Sequence, residues 1–206
     1  MSASRFRSTF LAVLLVALVP ATGYAQPAQK PFEPYSGQPG KDVVWVPTSQ
    51  ALVDKMLDTA KLTASDVHMD LGSGDGRTVI TAAKRGAHST GIEYNPDMVE
   101  LSKQNAAKAG VTDKATFIKA DLFETDFSKA TVITLFLLPD LNLRLRPTIL
   151  QMKPGTRIVS NTYEIGNGWE PDALEQAQPC KSWCSLALYV VPARAAGAWR
   201  LAASGC

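Results

Sequence analysis

Three carboxylates fall at the ends of three expected strands in this chain. Asp70 ends Val67 to Leu71, Glu93 ends Ser89 to Tyr94, and Asp121 follows Thr116 to Ala120. After the first lies Gly72-Ser73-Gly74-Asp75-Gly76, and a helical pattern starts at once with Arg77. Carboxylates in this setting accept hydrogen bonds from ammonium, hydroxyl and amino groups. Glycines let the backbone approach a ligand where a Cβ would collide. Strand, tight glycine turn and helix form the usual ligand corner of an open α/β sheet.

The glycine spacing bears on the ligand. A dinucleotide fingerprint is G-x-G-x-x-G, with amides and a helix N-terminus facing a pyrophosphate. Here the spacing is G-x-G-x-G, flanked by Asp70 and Asp75. Those carboxylates would repel a diphosphate and suit a ligand with a positive end, such as the ammonium and sulfonium of S-adenosylmethionine. In that assignment Asp70 holds the ammonium and Glu93 takes both ribose hydroxyls. Asp121 accepts from the adenine amino group, and the Leu122 N–H faces a ring nitrogen. Gly72, Ser73, Gly74 and Gly76 form the turn. Glu93 would serve an NAD ribose equally well; the glycine spacing and Asp121 separate the two. A single strand-end acid is usually just solvated, so the weight rests on three in register.

The run Asp-Leu-Gly-Ser-Gly-Asp-Gly-Arg (70–77) resembles motif I of the class I, seven-β-strand S-adenosylmethionine-dependent methyltransferases. With the later Leu137-Leu138-Pro139-Asp140-Leu141-Asn142, it is similar to the archaeal and mitochondrial protein-lysine methyltransferases within that class. The resemblance extends from about Val46 to about Tyr163. It implies S-adenosylmethionine as methyl donor, a protein lysine amine as acceptor, and no metal, since the sulfonium supplies the leaving group. It also implies that the segment before motif I closes over the methionine end. Many amine methyltransferases hold the amine with Asn-Pro-Pro-Tyr after strand four. The leading Asn is absent here. The resemblance puts the acceptor site at Pro139, Asp140 and Asn142, with Pro139 shaping the pocket and Asp140 or Asn142 contacting the amine. Both polar residues would serve equally as caps of the next helix. Tyr163 and Trp169 either wall a lysine channel or pack. Two other readings stay open: a non-catalytic nucleoside-binding module, and a small-molecule methyltransferase.

The elements that must position these residues follow in order. Thr48 is the expected N-cap of a helix over 49–61 with an apolar stripe at Leu52, Val53, Met56, Leu57 and Ala60. Arg77 to Arg85 forms the first crossover helix. Asn95-Pro96 starts another, which ends at Gly110. The unbroken apolar run Thr131 to Leu137 predicts a strand buried on both faces. A helix over Leu141 to Met152 and a strand over Thr156 to Ser160 come next. After a loop from Asn161 to Trp183, the sixth strand is expected over Leu186 to Val191. A seventh is expected over Ala198 to Ala202, through a hairpin near Gly197. The fold expected is α/β: a Rossmann-like, doubly wound, mostly parallel seven-stranded sheet with an antiparallel C-terminal edge hairpin.

Composition bounds the rest. With 206 residues, 46% hydrophobic and 19% charged, the chain suits one globular domain. Arg5 and Arg7, the apolar run Phe10 to Val19, and Gly23-Tyr24-Ala25 read as a secretory signal peptide cut after Ala25. The apolar run is short for a spanning helix, so no stable membrane span is expected after cleavage. Residues 26–45 read as an extended linker and 46–206 as the methyltransferase domain. The location expected is periplasmic or secreted. Cleavage removes two arginines and leaves 19 basic against 19 acidic residues. With no net positive field, a nucleic-acid partner is not expected. In an exported chain Cys180 and Cys184 are spaced for a small disulfide, with two unlinked thiols as the alternative, and Cys206 has no evident partner.

Overall fold

The computed structural model describes residues 32–166, 168–178 and 182–193. It holds a seven-stranded sheet in the order β3-β2-β1-β4-β5-β7-β6. The strands are β1 (Val67–Leu71), β2 (His88–Glu93), β3 (Ala115–Lys119), β4 (Val132–Leu135), β5 (Arg157–Asn161), β6 (Ala173–Gln176) and β7 (Ser185–Val190). The helices are α1 (Gln50–Thr59), α2 (Arg77–Lys84), α3 (Pro96–Ala109) and α4 (Pro139–Ile149). Pairings among β1 to β5 are parallel; β7 runs antiparallel to β5 and to β6. The expected mostly parallel sheet with an antiparallel edge is therefore present. Strand order reverses between β1 and β4, which opens a crevice beyond their carboxyl ends.

The edge hairpin uses different residues from those expected. The stretch expected as a loop, 161–183, contains β6. Only four residues long and half-exposed at the sheet edge, β6 carries no strong apolar signal. The strand expected sixth is β7. The proposed strand at 198–202 lies outside the described residues. So do the leader, Cys180 and Cys206. Cys184 is disulfide-bonded.

Three helix starts follow local rules. Ser49, not Thr48, is the N-cap of α1, its hydroxyl accepting from the Leu52 amide. Asn95 caps α3 by accepting from the Asp97 amide, with Pro96 at the first turn. Helix α4 begins at Pro139 rather than Leu141, because a proline's fixed φ suits the first helical position. It then continues through Pro147.

All four residues of β4 are buried, as the continuous apolar run requires. The strand stops at Leu135, so Phe136 and Leu137 turn into the crevice. Gly76 has φ +82°, and an added Cβ would lie 2.7 Å from the Phe117 ring and 2.9 Å from Ser102 Cβ. Gly76→Ala combines left-handed strain with overpacking and should cost on the order of 3 kcal/mol. Urea denaturation would measure it. A loss under about 1 kcal/mol would mean that α3 can yield to the turn.

Candidate functional site

Asp70, Glu93 and Asp121 line one cleft with the glycine turn. The cleft has a volume of about 1070 Å³, its open mouth included. Its floor is the carboxyl ends of β1, β2 and β4. One wall is the segment 38–48 ahead of α1; the opposite wall is apolar.

The turn is fixed from several sides. The Gly72 and Ser73 amides both donate to the Ile92 carbonyl, at 2.9 and 3.0 Å. From α3, Ser102 Oγ donates to the Gly74 carbonyl and Asn105 Nδ2 to that of Asp75. Gly74 has φ +54°, and a Cβ there would sit 2.4 Å from Trp45 Nε1. Trp45 thus packs directly on the turn.

Each acid has a distinct environment. Asp70 is buried. Its Oδ1 accepts from Thr134 Oγ1 at 2.6 Å, and Thr78 on α2 also bonds to it. Burial, reinforced by the nearby charges of Glu93 and Asp75, pushes its pKa up to about 7 despite those bonds. Glu93 uses both oxygens: Oε2 accepts from the Gly74 amide and Oε1 from the Asn95 amide, each at 2.9 Å. Its carboxylate therefore ties the glycine turn to the cap of α3. Asp121 Oδ2 accepts from Lys41 Nζ at 2.7 Å, and Oδ1 from the Phe123 amide. The Lys41 ammonium, with that amide, holds the Asp121 carboxyl below its ordinary range. The same ammonium lies 5.2 Å from the centre of the Tyr94 ring.

Asp75 differs from its expected part. Both of its oxygens accept from the Arg77 fork, whose Nη1 also donates to the Thr48 carbonyl. Its charge is matched by the neighbouring guanidinium. The electrostatic case against a diphosphate is therefore carried by Asp70 and Glu93.

The structure places the three expected acceptor residues outside the cleft lining. Asn142 is fully buried, and its amide nitrogen donates to Ser160 Oγ and to the carbonyls of Tyr163 and Glu164. It clamps the segment after β5 to α4 and does not line the cleft. Pro139 and Asp140 are exposed on the first turn of α4, also outside the cleft lining. On that side the cleft is lined by Leu135, Phe136, Leu137 and Leu141. The Phe136 ring stacks near Tyr163 at 6.4 Å and meets Trp183 edge-on at 6.2 Å. Trp169 packs against Tyr189 at 5.0 Å and belongs to the core wall.

The residues present fit the expected nucleoside. Ser73 Oγ is buried at the cleft with no hydrogen-bond partner. A buried hydroxyl without a partner in the turn is the kind of group that a bound ligand can satisfy. Gly72, Gly74 and Leu122 all line the same cleft. Among the described residues no group of three or more His, Cys, Asp or Glu side chains could hold a metal ion.

Sequence reasoning passed over Lys41, Arg77, Thr78, Thr134 and Phe136. Only Thr134 left a signal, a hydroxyl inside the apolar run Val-Ile-Thr-Leu.

Residues 70–173 match the family model of the ANTKMT methyltransferase domain. The chain is 40% identical over 152 residues to a protein-lysine N-methyltransferase of Saccharolobus islandicus (strain REY15A), covering 72% of this chain and 94% of that one. It is 32% identical over 108 residues to the adenine nucleotide translocase lysine N-methyltransferase of Mus musculus. That match covers 52% of this chain but 47% of the mouse protein, so the chain spans under half of its length. Among solved structures, an RNA methyltransferase from Salinibacter ruber in complex with S-adenosyl-L-homocysteine is 43% identical, with a TM-score of 0.68. It covers 73% of this chain, which covers 96% of it.

Proposed function

The chain belongs to the ANTKMT methyltransferase-domain family and is an S-adenosylmethionine-dependent methyltransferase; from that premise we propose that its acceptor is the side-chain amine of a protein lysine. The observation that carries this is the cleft itself. Three strand-end acids and a glycine turn converge on one side, and an apolar, aromatic wall faces them.

S-adenosylmethionine supplies a sulfonium methyl group and, on transfer, a neutral thioether leaving group. The chain's own residues do the rest. Asp70 would accept from the ammonium, and Glu93 from the ribose hydroxyls. Asp121, which already accepts from Lys41, would hold the adenine amine with its remaining lone pairs. A lysine amine starts protonated, with an ordinary pKa of about 10.4. The wall of Leu135, Phe136, Leu137 and Leu141 offers it no counter-charge, which lowers that value and frees the lone pair. The same wall excludes water from the reacting line.

Supporting this acceptor are the names of the Saccharolobus and mouse relatives. An RNA acceptor is the second reading, favoured by the name of the Salinibacter enzyme. The balanced charge of the chain after its leader weighs against it. Tritium from labelled S-adenosylmethionine, offered to an envelope protein extract and to total RNA, separates them. Label in protein that hydrolyses to methylated lysine supports the proposal; label confined to RNA overturns it. Glu93→Ala should weaken S-adenosylhomocysteine about 10- to 100-fold, the range for lost hydrogen bonds to a charged group. Unchanged affinity by calorimetry would remove Glu93 from the ribose site.

We also propose that the enzyme works outside the cytoplasm. Arg5, Arg7 and the apolar run 10–19 support export, and a disulfide at Cys184 suits an oxidising compartment. Among the described residues no helix is long and apolar enough to cross a membrane. Cell fractionation of the full chain tests the location; retention of the intact leader in the cytoplasm would refute it.

A further inference from the structure

Behind the cleft lies a line of buried polar groups that the reaction as described does not use. His68 is fully buried in β1, two residues before Asp70 on the same face. Its Nδ1 lies 2.6 Å from Ser89 Oγ, and its Nε2 lies 2.9 Å from Thr134 Oγ1. Thr134 Oγ1 is in turn 2.6 Å from Asp70 Oδ1. The sheet register builds this line: Ser89 on β2 pairs with His68, and Thr134 on β4 pairs with Asp70.

Counting donors sets its direction. An ionised Asp70 only accepts, so the single hydroxyl hydrogen of Thr134 goes to it. Thr134 then has only lone pairs for His68, whose Nε2 must carry the proton. Burial keeps the imidazole neutral, with its pKa down near 3, so Nδ1 is an acceptor and Ser89 must donate to it. Every hydrogen in the line points towards the carboxylate.

We propose that Ser89, His68 and Thr134 form a directed hydrogen-bond relay that holds Asp70 ionised and aimed at the methyl donor's ammonium, making His68 and Thr134 positioning residues for this methyl transfer. The proposal rests on Asp70 being the ammonium's acceptor. A relay is needed because burial most of all, and then the carboxylates of Glu93 from β2 and Asp75 from the turn, disfavour the Asp70 charge. Thr78 from α2 and Thr134 from β4 are the groups that favour it. The nearby cations are committed elsewhere, Arg77 to Asp75 and Lys41 to Asp121. Asp66 faces the far end of the line and acts on His68.

Calorimetry with S-adenosylhomocysteine between pH 5.5 and 8.5 tests this, with 5′-methylthioadenosine, which lacks the amino acid, as the second probe. Wild-type affinity for the homocysteine ligand should rise with pH and level near 7. Thr134→Val should weaken it at least tenfold at pH 7 and move the levelling point up by about one unit. Thr134→Ser should restore the wild-type profile. Methylthioadenosine affinity should be unchanged in both. If Thr134→Val follows wild type at every pH, or weakens both probes alike, the relay has no positioning role. If wild type binds neither probe, the nucleoside site itself is wrong. Should Thr134→Val not fold, the ring ¹⁵N shifts of the wild-type protein decide. The chain has only two histidines, and His88 is exposed, so His68 is identifiable. With ligand bound, its proton should sit on Nε2; a proton on Nδ1 would overturn the proposal.

Discussion

Asp70→Asn is expected to make the protein more stable and, at the same time, to abolish capture of the methyl donor. The folded pKa of Asp70 is about 7, against an ordinary 3.8. Below about pH 4 the group is neutral in both folded and unfolded chains and costs nothing. Above pH 7 it is charged in both, and the folded state bears the full cost of burying that charge. A gap of that size corresponds to on the order of 4 kcal/mol. Asparagine keeps an oxygen for Thr134 Oγ1 and removes the charge. Urea denaturation of the ligand-free variant at pH 8 should show the gain. Calorimetry on the same sample should show S-adenosylmethionine affinity down by 100-fold or more, because the ammonium loses a buried counter-charge. Saturating donor, at about 100 times its Kd, should stabilise wild type by about 2.7 kcal/mol and the variant hardly at all. A variant that is less stable at pH 8 would make Asp70 a structural carboxylate. The trade of stability for a charged, ready site is the general pattern at functional positions.

The parts of this site that the sequence reveals are those set by local rules. Strand, glycine turn and helix are written in residues 67–78, and the acids at 70, 93 and 121 follow from strand ends. The cap at Asn95 and the stop at Gly110 are equally local. What stays hidden depends on register and on long-range contact. His68 meets Thr134 across 66 positions only because β1 and β4 pair in parallel. Lys41 reaches Asp121 across 80 positions. Asn142 has the composition of an amine ligand. It became a buried clamp because α4 starts at Pro139, two residues early, turning position 142 inward against the segment after β5. The apolar wall of the cleft was missed for a different reason. Its residues are apolar, and an apolar run after a strand cannot be told from core until the strand's end is known.

The protonation of His68 and Asp70 should also give the protein an unusually flat stability profile between about pH 4 and 6.5. His68 has a folded pKa near 3 against an ordinary 6.5, so the stability it brings is present above 6.5 and lost as pH falls towards 3. Asp70 works in the opposite sense, with its cost disappearing as pH falls from about 7 towards 3.8. In the shared window the unfolded chain carries one proton on His68, and the folded chain carries one on Asp70. Equal proton counts mean no slope from this pair. The other shifted carboxylates, Asp66, Asp121, Asp126 and Glu175, all have lowered folded values, so their losses begin only near and below the ordinary carboxylate range. Removing either member should expose its partner. Asp70→Asn should lose about 1.4 kcal/mol per pH unit on acidification, and His68→Gln should gain about as much over the same range. Urea unfolding at pH 7, 6, 5 and 4.5 would compare the three proteins. Three parallel curves would mean that the two groups do not titrate as their burial dictates. Curves that approach one another on acidification, Asp70→Asn falling towards wild type while His68→Gln rises, would tie the flat profile to the opposed titrations of these two buried groups.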